Sequence, residues 1–171
     1  MEVSALLTEM FDRIAQRVPS VVDGLTDDEL ADRPDGRGNS IAWLVWHLSR
    51  IQDDHIADAA GTEQVWTAWR DRFGLDLPDD DTGYGHSSDD VAKVAVAGSL
   101  LVGYHRAVAA ATDEFLSDIG ATDLDRIVDA HYDPAVTLGV RLVSIVGDCL
   151  QHLGQAAYAR GLLAGAGTLA G

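Results

Sequence analysis

The stretch from Val140 to Arg160, VRLVSIVGDCLQHLGQAAYAR, constrains the fold more than any other. It holds no proline and runs well past the ~12 residues at which a periodic apolar pattern favours helix over strand. Wound at ~100° per residue, it places Leu142, Ile145, Val146, Cys149, Leu153 and Ala156 on one broad apolar arc. Asp148 and His152 sit at one edge of that arc, four residues apart. Side chains at i and i+4 share a helix face with Cβ atoms ~5–6 Å apart, so both can reach one cation. The H-E-x-x-H motif holds zinc by the same spacing with different residues. Taken alone, the pair also reads as a polar helix edge. Gly147, Gly154 and Gly161 recur every seven residues on a different face. Glycines there would let another helix approach closely, at ~1 kcal/mol of helix propensity each relative to Ala.

Four such helical segments are expected. Residues 4–18 read as an amphipathic helix with Ala5, Leu6, Met10, Ile14 and Val18 near helical spacing. Thr26 to Glu29 is a capping-box pattern for a short helical turn, and Pro34, Gly36 and Gly38 make a loop. Asn39 or Ser40 caps the second long helix, Ile41 to Ala60, which Gly61 ends. Residues 63–73 read as a short helix, and residues 74–88 as a Gly-, Asp- and Pro-rich loop. A long helix is expected from Ser88 to about Asp118, then a connection with one helical turn from Leu124 to Pro134. Thr137 caps the last helix, and the small-residue tail from Gly165 is expected to fray. No segment shows strand alternation with hairpin signals. The expected fold is all-α: one four-helix-bundle domain over residues 1–171, with extra short helices in the connections. Connections over 61–87 and 119–136 are long for a simple bundle, and long connections often wall a pocket.

A formal net charge of −16 repels nucleic-acid phosphates and anionic lipid, so neither is an expected partner. The single cysteine, Cys149, cannot form an internal disulfide; mid-arc, it reads as a buried structural thiol. Glu2, Glu9 and Asp12 among the first apolar residues argue against a secretory leader, and no apolar run approaches the ~20 residues of a membrane span. A cytoplasmic location is the expectation.

Six histidines carry the candidate chemistry. His47, in WLVWHLSRIQDDH, shares its helix face with Trp43, Leu44 and Ile51 and points towards the core. His55 is eight residues on, ~12 Å along the axis, and cannot share an ion with His47 at ~2.1 Å bonds. A lone histidine on an apolar face is usually a satisfied core residue; if His47 is instead a ligand, its partners come from another helix, and Asp148 with His152 is the i, i+4 pair on the last one. Two imidazoles and a carboxylate suit Zn²⁺, Ni²⁺, Fe²⁺ or Mn²⁺ and leave coordination positions open.

The WHL and DDH elements of the second helix, with D-x-x-x-H-L-G-Q-A-A-Y-x-R-G-L on the last, resemble the DinB-like metalloprotein superfamily. The resemblance is closest to its branch of mycothiol-dependent transferases and maleylpyruvate isomerases of actinobacterial type. It implies a four-helix bundle with a divalent ion, zinc foremost, on one His of helix two and an acid-or-His plus His of the last helix. Carried onto this chain, those positions are His47, Asp148 and His152. Asp148 departs from the Glu or His common in relatives and is one methylene shorter. The implied function is S-transfer from a mycothiol-type thiol cosubstrate to a small electrophile, in a homodimer. The alternative is a non-catalytic metal- or ligand-binding stress-associated protein. The isomerase relatives carry an added C-terminal domain that these 171 residues do not hold, so isomerisation itself is not expected.

Further candidates for substrate binding or for supporting the ligands are His55, His131, Gln155 and Arg160. Gln155, one turn beyond His152, has reach to a bound water or to a group that supports the ligands. His131, in AHYDP, is a candidate fourth ligand or proton carrier. His105 reads as a core or rim residue and His86, in GYGH, as a loop residue. The sequence holds no P-loop, no GxSxG and no GxGxxG.

Overall fold

Ser40 and Gly61 bracket the helix on which the others assemble. The Ser40 hydroxyl accepts the Trp43 amide at 3.1 Å, and Gly61 closes the far end with φ 68°. Fifteen of the 20 residues between them are buried, so this helix is covered nearly all round. The computed structural model describes residues 2–165. In chain order its α-helices are α1 (Val3–Val22), α2 (Asp27–Ala31), α3 (Ile41–Ala60), α4 (Trp66–Phe73), α5 (Ser88–Ala92), α6 (Gly98–Ser117) and α7 (Leu138–Gly165). α3 packs against α7 and α6, and α1 closes the ring against the same two. The four long helices therefore form a bundle around one core, in which Ile14, Leu44, Leu48, Leu101 and Ile145 are buried. Each such side chain contributes about 1.5–3 kcal/mol by leaving water. The apolar arc of α7 is buried throughout: Leu142, Ile145, Val146, Cys149, Leu153 and Ala156.

Several local expectations are corrected. α1 continues through Pro19 to Val22. Proline removes one helical hydrogen bond, but Val21 and Val22 are buried and hold the last turn. Its inward arc is Phe11, Ile14 and Val18, while Leu6 is 51% and Met10 37% exposed; burying the larger phenyl ring sets the phase. The long helix expected from Ser88 to Asp118 is two. Ser87 and Asp90 form a capping box for the short α5, and α6 begins only at Gly98. Between them Val94 and Val96 are buried with Ala95 exposed, an extended alternation that seats two β-branched residues in the core. The expected turn after α6 is a 3-10 turn at Ala121–Asp125. A small antiparallel ribbon, β1 (Ile127–Asp129) with β2 (Val136–Thr137), follows where no strand was expected. Thr137 then offers its hydroxyl to the Val140 amide at 3.4 Å. Residues 166–171 of the tail expected to fray lie outside those described.

Among the described residues nothing packs on the glycine stripe of α7: a Cβ added to Gly147, Gly154 or Gly161 would meet nothing within 4 Å. A close helix neighbour for these glycines was expected inside the bundle or across a two-fold dimer; among the described residues it is not inside the bundle.

Candidate metal centre

His47 enters the site from the middle of α3, one turn after Trp43, on a helix buried nearly all round. Its side chain is 6% exposed. The indole of Trp43 stacks on the imidazole at 4.6 Å and 13°. On the other side the loop after α4 closes in: the Nδ1–H of His47 donates to the carbonyl of Thr82 at 2.5 Å. That bond fixes the tautomer, so Nε2 carries the free lone pair.

α7 runs beside α3 and brings the second and third groups. A Cβ spacing set by i, i+4 geometry puts Asp148 and His152 side by side, His152 Nε2 lying 3.5 Å from Asp148 Oδ2. The rings of His152 and His47 meet edge-on with centroids 4.6 Å apart. His152 Nδ1 lies 3.0 Å from Gln155 Oε1, so its Nδ1–H is also held and its Nε2 also faces inward. One donor atom each from His47, Asp148 and His152 lie within 4.8 Å of one another. Ligand atoms at zinc bond lengths in a tetrahedron stand about 3.3 Å apart, so small side-chain motions bring the three into a coordination shell.

The electrostatics test whether a cation fits. Burial lowers the pKa of His47, only partly opposed by its bond to Thr82, so the ring is neutral over a wide range. His152 is shifted the other way, chiefly because the Asp148 carboxylate favours its charged form. Burial pushes the Asp148 carboxyl up, but the His152 and His47 rings outweigh it and hold the group below the usual carboxylate range. Asp148 is therefore an anion, and its buried Oδ1 has no hydrogen-bond partner. That oxygen faces His47 Nε2 at 3.9 Å, beyond hydrogen-bond reach. Two lone pairs directed at one another are satisfied by a cation between them. The residues present thus fit a divalent ion.

Other sequence candidates lie around this cluster or outside it. His55, two turns along α3, meets Asp54 at 3.5 Å and the Arg141 guanidinium at 3.2 Å. Its pKa is lowered, first by burial and then by Arg141. Arg141 in turn holds Asp129 of β1 at 3.0 Å, tying the ribbon to the bundle. His131 is 96% exposed and turned onto Asp129. Arg160 is two turns past His152, ~12 Å along the axis, where its charge reaches Glu29 of α2. Among the described residues no hydrogen bond or ion pair joins His131 or Arg160 to the three clustered groups. His105 is fully buried against Ser49 at 3.0 Å. A cleft of about 630 Å³ is lined by Asn39, Leu44, Gln151, Gln155 and Tyr158; of these Gln155 reaches His152. Sequence reasoning missed Thr82 and the stacking role of Trp43. A backbone carbonyl carries no side-chain signal; the glycines at 83 and 85 were the one hint of a close approach.

The comparisons with known proteins agree with this architecture. A crystal structure described as that of a conserved protein from Enterococcus faecalis is similar with TM-score 0.89 and 34% identity, covering 96% of this chain and 99% of that one. No curated protein matches the sequence. The family model described as DinB superfamily matches residues 10–156. A match over that much of the bundle, from α1 to beyond His152, settles the family: the chain belongs to the DinB superfamily.

Proposed function

We propose that the protein is a divalent-metal-dependent thiol S-transferase, using a low-molecular-weight thiol of the mycothiol type and a small electrophilic substrate. The observation that carries the reading is the inward presentation of both imidazole Nε2 atoms beside an anionic carboxylate oxygen that lacks a donor. His47, Asp148 and His152 would hold the ion, with Zn²⁺ first and Ni²⁺, Fe²⁺ or Mn²⁺ as alternatives. When bound, such an ion supplies Lewis acidity that lowers the pKa of a coordinated thiol, making it a nucleophile at neutral pH.

The chain's own groups do the rest. Thr82 and Gln155 orient the two rings; Trp43 covers one ring face and keeps water from it. Three protein ligands leave room for a thiol. The cleft that Gln155 lines offers Tyr158 as apolar surface and Gln151 and Asn39 as polar groups for the second substrate. We place the protein in the cytoplasm as a homodimer, with no nucleic-acid or membrane partner; no described helix is long and apolar enough to cross a membrane.

The test is metal content and thiol consumption on protein purified without a nickel column. About one divalent ion per chain is expected, lost in His152→Ala, and the Co²⁺ form should change its absorption spectrum when mycothiol is added. An electrophile should be consumed faster by the wild type than by His47→Ala. Full occupancy in a His47→Ala/His152→Ala double variant refutes the site. A bound ion whose spectrum ignores every thiol tested refutes the transferase and leaves the non-catalytic binding protein.

A further inference from the structure

We propose that the loop from Asp81 to His86 is a positioning strap for His47, which sets the affinity of the centre by holding that ring in the one tautomer and orientation able to ligate. The inference rests on the metal-centre reading above. It concerns residues that touch neither ion nor substrate.

The loop meets His47 with its backbone. Thr82 supplies the carbonyl that takes the Nδ1 proton. Gly83, at φ 90°, lies so close that an added Cβ would stand 2.8 Å from His47 Nδ1, 3.0 Å from the Trp46 ring and 3.1 Å from the Trp43 ring. The backbone at Gly83 thus lies close against the imidazole, and a side chain there would be strained and would push the rings aside.

A closed circuit of bonds keeps it there. Asp81 Oδ1 accepts the Gly83 amide at 2.8 Å. Its Oδ2 is 2.8 Å from His86 Nε2. His86 Nδ1 accepts the indole N–H of Trp43 at 3.0 Å. An indole nitrogen only donates, so His86 must carry its proton on Nε2 and give it to Asp81. Trp43 then returns to the start by stacking on His47. A second anchor comes from the bundle interior: Arg50, fully buried one turn after His47, donates from Nε to the Asp81 carbonyl at 3.0 Å. Its Nη1 is fixed by Gln64 and Tyr104. Every bond in this circuit has a defined direction, and the last of them points the Thr82 carbonyl at the nitrogen of His47 that is not needed for an ion. Groups that orient a ligating histidine in this way typically change metal affinity 10–100-fold when removed.

Asp81→Asn is the near-isosteric test. The amide oxygen still accepts from Gly83, but an NH₂ now faces the Nε2–H of His86, donor against donor. His86→Phe, which fills the same space and removes both bonds, is the second variant. Co²⁺ binding is followed by its absorption, and the His47 tautomer by two-bond ¹H–¹⁵N correlation of ion-free protein at pH 8. In the wild type His47 should appear as the Nδ1–H form. In both variants it should become a mixture, with Co²⁺ bound about 10–100-fold more weakly, while the circular dichroism spectrum is retained. Wild-type affinity and an unchanged tautomer in both variants overturn the strap and leave the metal centre standing. A wild type that binds no ion overturns both.

Discussion

His105 gives a quantitative check on how far the bundle interior excludes charge. It lies on α6, fully buried, with Nδ1 against the Ser49 hydroxyl at 3.0 Å and Nε2 without a partner. Ser49 itself donates to the Val45 carbonyl at 2.7 Å, so the ring must donate to Ser49 from Nδ1 and is neutral. Burial pushes its pKa down from 6.5 to about 4. Between those values the unfolded chain binds a proton that the folded chain refuses, so stability rises with pH. The contribution is complete above pH 6.5 and is lost as pH falls towards 4. Converting the shift gives a loss of about 2 kcal/mol by pH 5 and about 3 kcal/mol by pH 4. Other groups titrate over this range, and His152, whose pKa is raised, acts in the opposite sense. The comparison with His105→Leu isolates the one residue, because any packing change it makes is independent of pH. Urea unfolding in the presence of a chelator at pH 7.5, 6 and 5 supplies the free energies. Wild type should lose about 2 kcal/mol more than His105→Leu between pH 7.5 and 5. Parallel pH profiles would falsify the claim that this interior stays dry.

Three further outcomes are expected. Asp148→Glu keeps the charge and should keep the ion, whereas Asp148→Asn removes the charge and should weaken binding at least tenfold; equal affinities by competitive chelator titration contradict the ligand role. Because added Cβ atoms at Gly147 and Gly154 meet nothing, Gly147→Ala and Gly154→Ala should each stabilise a dilute monomer by about 0.5–1 kcal/mol through helix propensity. A loss of stability together with a shift to smaller mass in sedimentation would instead reveal a second copy packed on that face. Cys149 is fully buried with its thiol pKa pushed up by burial, so alkylation at pH 8 should follow global unfolding, and modification without loss of the circular dichroism signal contradicts this.

The bundle was legible because long helices leave a long record. The arc from Leu142 to Ala156 repeats often enough to fix its phase, and the buried residues are the ones the period selects. Asp148 and His152 were legible for the same reason, since i, i+4 spacing is itself a three-dimensional statement. Their meeting with His47 was not a matter of spacing, and came from elimination and resemblance. What stayed hidden is what period cannot express. Strands of three and two residues have no period to detect. The break between Ala92 and Gly98 lies inside a run, VAKVAVAGSLL, that continues to look helical. The glycines of α7 signalled missing side chains without saying whether anything occupied the space. The Thr82 carbonyl is common to every residue type.

The centre shows two histidines of one chain driven in opposite directions by their surroundings, and the contrast explains how a single cluster can be both ready for an ion and selective about pH. His47 is kept neutral by burial, with Nδ1 committed to Thr82. It offers its lone pair without first giving up a proton. His152 lies beside an ionised Asp148 that raises its pKa, so a proton on its Nε2 competes with a cation for that position. A divalent ion must displace that proton, and the exchange is favourable only where the proton is weakly held, towards neutral and alkaline pH. The fold pays little for this arrangement. The three side chains project from α3 and α7, which pack on each other through the buried core. This differs from a zinc finger, where the metal supplies the folding energy. Here the core positions the ligands, and the Gly83 peptide fixes the tautomer of His47. Asp148, the shortest of the three, is left with an unpartnered oxygen, so the cluster is not a hydrogen-bonded network closed on itself and its geometry suits a cation.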